Sequence, residues 1–350
     1  MNENLNIVVV QDTPESENET AAQQNGKEKK LLPVFAAVTS VLFIVMFVVI
    51  AMLNSKISDL SERLAESEDY IMAMNSKVYE YAEPDDVIHL NDSFYGDMWM
   101  PVMENVPLNT HDYTNLVLDE RNRYKYYING EQASVTGIDV SYHQGKINWE
   151  AVAADGIDFV IVRAGYRGYE TGKLNKDERV DEYITGAVAA GLDVGAYFYS
   201  QAVTPHEAAE EARFMCEILS PYEITYPVIF DWELPEDDTA RTVDLAAETL
   251  NKCAVAFCNE VSAAGYTPMI YSGLRMALNK FDMRGLCQYD FWYVEYKDGY
   301  NPPAYPYQLH MWQYASDGKV DGIDGDVDMN ISFVDYRKQY DALKKVLSDD

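Results

Sequence analysis

Three hydrophobic patterns succeed one another along the chain. The first is an uncharged run, Leu31 to Leu53, reading "LLPVFAAVTSVLFIVMFVVIAML". It is long enough to cross a hydrocarbon layer of roughly 30 Å as a helix. It follows a polar tail, 1–30, whose composition predicts disorder. The second pattern is sparser, with apolar residues at Ile57, Leu60, Leu64, Ile71, Met74 and Val78. This heptad-like spacing predicts a helical stalk over 54–83, stopped by Pro84. It is compatible with a coiled-coil homodimer or with a single helix, and Ser67 occupies one seam position. Residues 84–136 hold short apolar pieces and turn signals such as "ING" at 128–130, an irregular lead-in to which no function is assigned.

From Gly137 the third pattern sets in, β-rich runs alternating with amphipathic stretches. Strands are predicted at Gly137–Val140, Ile157–Arg163, Asp193–Tyr199, Pro227–Asp231, Thr267–Tyr271, Phe291–Val294, Gln308–Gln313 and near Val327. Helices are predicted at Asn148–Ala154, Asp177–Ala190, Pro205–Leu219, Arg241–Ala264 and Leu274–Lys280. Runs such as "DFVIVR" and "PVIF" have the continuous apolar character of barrel strands buried on both faces. Eight strands, with helices between only the first five or six, predict an irregular α/β barrel over 137–340. A polar C-terminal tail is expected at 341–350.

Charge narrows the partners. The formal net charge of −31 disfavours a nucleic-acid partner, whose phosphates would be repelled. Lys27, Lys29 and Lys30 precede the apolar run more closely than Lys56 and Arg63 follow it. The expected orientation is therefore N-terminus in the cytoplasm and barrel outside, anchored in the lipid bilayer through 31–53. The cysteines, Cys216, Cys253, Cys258 and Cys287, form no CxxC pair, so no metal site is expected; buried thiols or disulfides both remain open.

The chemistry lies in the carboxylates. Barrel active sites form at the strands' C-terminal ends. Asp139 closes the first predicted strand in "GIDVSYHQG", Asp231 and Glu233 close the fourth in "FDWE", and Asp328 lies on the last in "GDVDMN". Side chains alternate along a strand, so Asp231 and Glu233 face one side and Trp232 the other. Crowded acids raise one another's pKa. One protonated acid beside charged neighbours suits glycosidic cleavage. An acidic surface rim or a divalent-metal site could use the same residues. Tyr197, Tyr199, Tyr271 and Trp312 fall near the same strand ends, where they would either stack on sugar rings or pack the core. Gln144 is expected to fix the loop after the first strand, His143 lacks a partner at ligand spacing, and His206 and Glu207 begin a helix.

The ordered series "GIDVSYHQGKINW", "DFVIVRAGYRG", "GAYFYS", "YPVIFDWE", "PMIYSG" and "MWQYASDGKVDGIDGDVDMN" closely resembles glycoside hydrolase family 25, the muramidase-type lysozymes, over roughly Gly137 to Phe333. The resemblance implies a (β/α)5(β)3 barrel that needs no cofactor. It implies hydrolysis of the β-1,4 bond between N-acetylmuramic acid and N-acetylglucosamine in peptidoglycan. Glu233 would be the general acid, Asp139 and Asp328 supporting carboxylates on the pocket floor, and Asp231 the partner of the substrate's 2-acetamido group. Tyr197, Tyr199, Tyr271 and Trp312 would line the sugar subsites. A substrate-assisted route is favoured over carboxylate attack or direct inversion. Where the family pattern has W-[IV]-A-x-Y this chain has "WYVEY", Trp292 to Tyr296, so Val294 and Glu295 are expected to narrow or recharge the groove. A non-hydrolytic wall-binding scaffold on the same barrel is the alternative, although all four carboxylates are intact.

Overall fold

A computed structural model describes residues 45–57, 87–92, 96–234, 239–296, 299 and 301–348. The chain divides into two compact units, Met1–Glu80 and Tyr81–Asp350. In the first, residues 45–57 are helical and exposed. The remainder of the expected bilayer span (31–44), the tail (1–30) and nearly all of the stalk (58–83) lie outside the described residues. No helix among the described residues is long and apolar enough to cross a membrane.

The second unit is a closed barrel. Its strands are β1 (Val135–Val140), β2 (Phe159–Arg167), β3 (Asp193–Tyr199), β4 (Val228–Asp231), β5 (Pro268–Gly273), β6 (Asp290–Val294), β7 (Met311–Gly318) and β8 (Val327–Ser332). Neighbours pair in sequence order, and β8 returns to β1 to close the ring. Strands β1 to β7 run parallel; β8 is antiparallel to both β7 and β1. The helices are α1 (Trp149–Ala154), α2 (Val180–Ala189), α3 (Pro205–Leu219), α4 (Ala247–Ala263), α5 (Leu274–Asn279), α6 (Met283–Leu286) and α7 (Tyr336–Ser348).

Alternation sorts the strand residues into two layers. Phe159, Ile161, Ile229, Met269, Tyr271, Trp292 and Met311 fill the barrel with Tyr226 and Tyr336. Their neighbours Val160, Val162, Val228, Phe230, Ile270 and Phe291 face the outer helices. Phe159 stacks on Tyr226 with centroids 4.4 Å apart. A Cβ at Gly137 would lie 2.3 Å from that ring, so only glycine on β1 leaves room for the plug.

Local signals place the helix ends. Thr204 accepts from Glu207 N at 3.2 Å with Pro205 in the first turn of α3. Gly191 and Gly265, at φ of 84° and 87°, follow the ends of α2 and α4. Helix α4 begins six residues later than expected. Arg241 is bound by Glu207, and Thr242 donates to Gln201, which holds 241–246 in turns. Strand β7 starts later than predicted and runs on to Gly318, because it pairs with β8 beyond the barrel wall. The tail expected at 341–350 is largely the second half of α7, which continues to Ser348.

The lead-in is built rather than irregular. Residues Val87–Asp92 and Gly96–Pro101 form a hairpin, and Leu116–Leu118, Tyr124–Ile128 and Glu131–Gln132 a small antiparallel sheet. The final strands have no helix of their own, and this apron covers them. Tyr124 packs on Trp312 at 4.8 Å, and His111 stacks on Phe333 at 4.3 Å. Leu108 bridges to Tyr307, and Arg123 is paired with Asp155 in the interior.

Candidate active site

The reversed β8 decides the geometry of the site. Its first residues lie at the rim where the parallel strands end, so Asp328 sits opposite Asp139 in the β8–β1 ladder. Asp231 ends β4, and Glu233 follows two residues on, with Trp232 turned into the outer layer. Asp139, Asp231, Glu233 and Asp328 line one hollow of about 310 Å³, together with Tyr197, Tyr199, Tyr271, Trp292, Tyr296, Gln313 and Arg163.

Asp139 is buried at the floor. Its Oδ2 accepts from Gln313 Nε2 at 2.7 Å and from Asn330 Nδ2 at 2.8 Å. Both amides are oriented by further bonds. The hydroxyls of Tyr271 and Tyr296 each donate to Gln313 Oε1 at 2.8 Å, and Trp292 Nε1 donates to Asn330 Oδ1 at 2.9 Å. Asp328 completes the network with a hydrogen bond to Asp139. Burial raises the pKa of Asp139 to about 6, against the three hydrogen bonds that favour its anion. Asp328 is pushed up to about 8 by burial, by the Asp139 charge and by donating to it. The two carboxyls therefore share a proton near neutral pH, and it resides on Asp328.

Asp231 is buried too, and its pKa is raised well above the usual carboxyl range by burial and then by Glu233 and Asp139, with Arg163 opposing. Its Oδ1 has no hydrogen-bond partner, and neither has Arg163 Nη2. The other side of that guanidinium is fixed, since Nε donates to Asp177 at 2.8 Å. Unpartnered buried polar atoms are costly and rare. Asp231 and Arg163 both line the hollow.

Three of the expected aromatics, Tyr197, Tyr199 and Tyr271, line the hollow. Trp312 does not. It is 1% exposed, faces outward between Tyr124 and Tyr314, and donates to Glu295 O at 3.1 Å. The inward position is its neighbour Gln313, as alternation requires once Met311 is placed in the barrel. Asn330, two residues beyond Asp328, could be found by the same period. Trp292, Tyr296 and Arg163 also line the site and had not been singled out as site residues. Glu295 does not recharge the groove; its carboxylate accepts from Ala304 N at 2.7 Å. Gln144 accepts from Ser141 N at 2.9 Å and so closes the turn after β1.

Among the described residues no group of three or more His, Cys, Asp or Glu is arranged to hold a metal ion. All four cysteines are free thiols. A larger groove of about 1160 Å³ lies between α4 and Pro101–Asn105. Four of its charged side chains are already paired, Lys252 with Glu248 and Arg284 with Asp282.

A barrel whose strand ends bring acidic side chains around a tyrosine-walled hollow has the plan of a carboxylate-dependent glycosidase. Residues 138–323 match the family model described as glycosyl hydrolases family 25. The chain belongs to that family and is a glycoside hydrolase. It is 26% identical over 208 residues to lysozyme M1 of Streptomyces globisporus, covering 57% of this chain and 68% of the relative. It is 24% identical over 197 residues to the autolytic lysozyme of Clostridium acetobutylicum, covering 55% of this chain and 54% of that protein. Among solved structures, the modular autolysin LytC from Streptococcus pneumoniae, in complex with a synthetic peptidoglycan ligand, shares the fold at a TM-score of 0.51 and 22% identity. The match covers 71% of this chain and 56% of that one. The spore cortex lytic enzyme SleM of Clostridium perfringens matches at 0.50 and 23%, over 57% of this chain and 67% of that one.

Proposed function

We propose that this chain is an N-acetylmuramidase. It hydrolyses the β-1,4 bond between N-acetylmuramic acid and N-acetylglucosamine of peptidoglycan, with Glu233 as general acid. The observation that carries the reading is the buried, unpartnered Oδ1 of Asp231 beside Glu233 in a hollow floored by Asp139 and Asp328. An acetamido N–H supplies the missing donor.

Asp231, buried beside Glu233 in the hollow, offers its free oxygen to the acetamido N–H. Glu233 then protonates the glycosidic oxygen as its bond to C1 breaks. The acetamido oxygen attacks C1, giving an oxazolinium ion steadied by Asp231. Water, deprotonated by Glu233, opens that ring. The anionic Asp139 and protonated Asp328 hold the floor, and the tyrosines supply apolar faces for the sugars.

The apolar run at 31–53 supports a cell-membrane location, N-terminus inside and barrel outside, with the wall as substrate. The apolar spacing from Ile57 to Val78 supports a helical stalk able to pair with a second copy. Digestion of purified peptidoglycan by wild type and by Glu233→Gln, with the new reducing ends identified, tests the reaction. Muramic acid ends with wild type alone are expected. Glucosamine ends, or equal release by the variant, would refute it.

A further inference from the structure

The hollow holds about 310 Å³, near the lower end of the roughly 300–1,000 Å³ of small-ligand pockets. A glycan chain must continue outside it. The structure assigns one wall of that continuation to Tyr169: we infer that it forms a separate stacking platform for a sugar ring beyond the cleaved linkage. This rests on the proposed glycan substrate.

Tyr169 lies in the turn joining β2 to the short antiparallel strand Leu174–Lys176. Its hydroxyl is 2.6 Å from that of Tyr199, which lines the hollow, and their rings are 5.9 Å apart at 49°. The aromatic wall thus extends outward from the pocket without a break. Tyr169 remains 41% exposed, so its ring is open to a ligand.

The turn beneath it is held from several sides. Arg167 Nη1 donates to Gly172 O at 2.7 Å, while its Nε donates to Glu211 at 2.7 Å. The backbone of Arg241 donates to Tyr169 O at 3.2 Å. Gly172, at φ of 63°, takes the left-handed conformation that closes the turn, a backbone shape that favours glycine. A rigid base under an exposed ring spends little entropy on binding, which is what a stacking platform requires. Aromatic faces suit pyranose rings because the ring's axial C–H face is apolar while its hydroxyls stay wet.

The test separates binding from cleavage. Full-length Glu233→Gln in detergent is titrated with peptidoglycan glycan oligomers of two and of six sugars, with Tyr169 intact, Tyr169→Phe or Tyr169→Ala. The expected result is a loss of roughly tenfold in affinity for the hexamer with Tyr169→Ala, little change for the disaccharide, and a smaller loss with Tyr169→Phe, which keeps the ring but not the Tyr199 bond. In the cleaving enzyme, Tyr169→Ala should raise KM on long chains with kcat held. Equal losses on both lengths, or none, would overturn the inference. Failure of wild type to cut the wall would instead count against the muramidase reading, because the titration is scored without cleavage.

Discussion

Replacing Asp328 by asparagine isolates the shared proton on the pocket floor. Folding raises the pKa of Asp328 from 3.8 to about 8, and Asp139 rises to about 6. Both shifts are upward, so the folded state binds more protons than the unfolded one between pH 4 and pH 8. Stability from these groups is full below about pH 4 and is lost as pH rises through 6 and 8. Four pK units on Asp328 alone correspond to about 5–6 kcal/mol as a ceiling. Water entering the open hollow and the coupling to Asp139 reduce that to about 2–3 kcal/mol. An asparagine side chain at this position has nearly the same shape, can still donate to Asp139, and never ionises. Urea unfolding of the barrel followed by tryptophan fluorescence should therefore show wild type losing about 2–3 kcal/mol between pH 5 and pH 9, and Asp328→Asn losing much less. Asp324→Asn, at an exposed position in the turn before β8, serves as the control. An Asp328→Asn protein with the same pH dependence as wild type would refute the shared proton.

Two further outcomes follow from packing. Trp312→Ala should cost about 3–5 kcal/mol of stability, seen as a lowered Tm, with KM unchanged in the folded fraction, because the ring is core and not a subsite; an altered KM would return it to the site. A chain beginning at Gly137 should fail to fold, whereas one beginning at Pro84 should fold, as judged by near-UV circular dichroism. The shorter chain loses the burial of Val106, Leu116, Tyr124 and Tyr126, at about 1.5–3 kcal/mol each against a total stability of about 5–15 kcal/mol, and a native spectrum from it would contradict this.

The barrel was legible because its signals are local and periodic. Pro205 and Thr204 mark a helix start, Gly191 and Gly265 mark ends, and β2 and β4 read as buried runs. The acids at Asp139 and Asp231 could be placed by strand ends alone. What escaped depends on partners far along the chain. The delay of α4 comes from Glu207 and Gln201 binding residues 241 and 242. The reversal of β8 is a property of the pairing, not of the residues "VDMNIS". Trp312 was misplaced because an aromatic residue at a strand end fits either face, and only the register of Met311 decides between them. The apron was unreadable for a similar reason: Tyr124 and His111 acquire their role only when Trp312 and Phe333 arrive beneath them.

That apron also sets a mechanical order. The polypeptide enters the barrel through β1, the strand that carries Asp139, and the small sheet stands immediately upstream of it. Tension applied to the chain ahead of Val87 loads the hairpin and the Leu108–Tyr307 bridge, then the Arg123–Asp155 clasp and the Tyr124–Trp312 contact, before strain reaches the acid floor. A pull from that end would be taken up by the apron while the acids stayed in register.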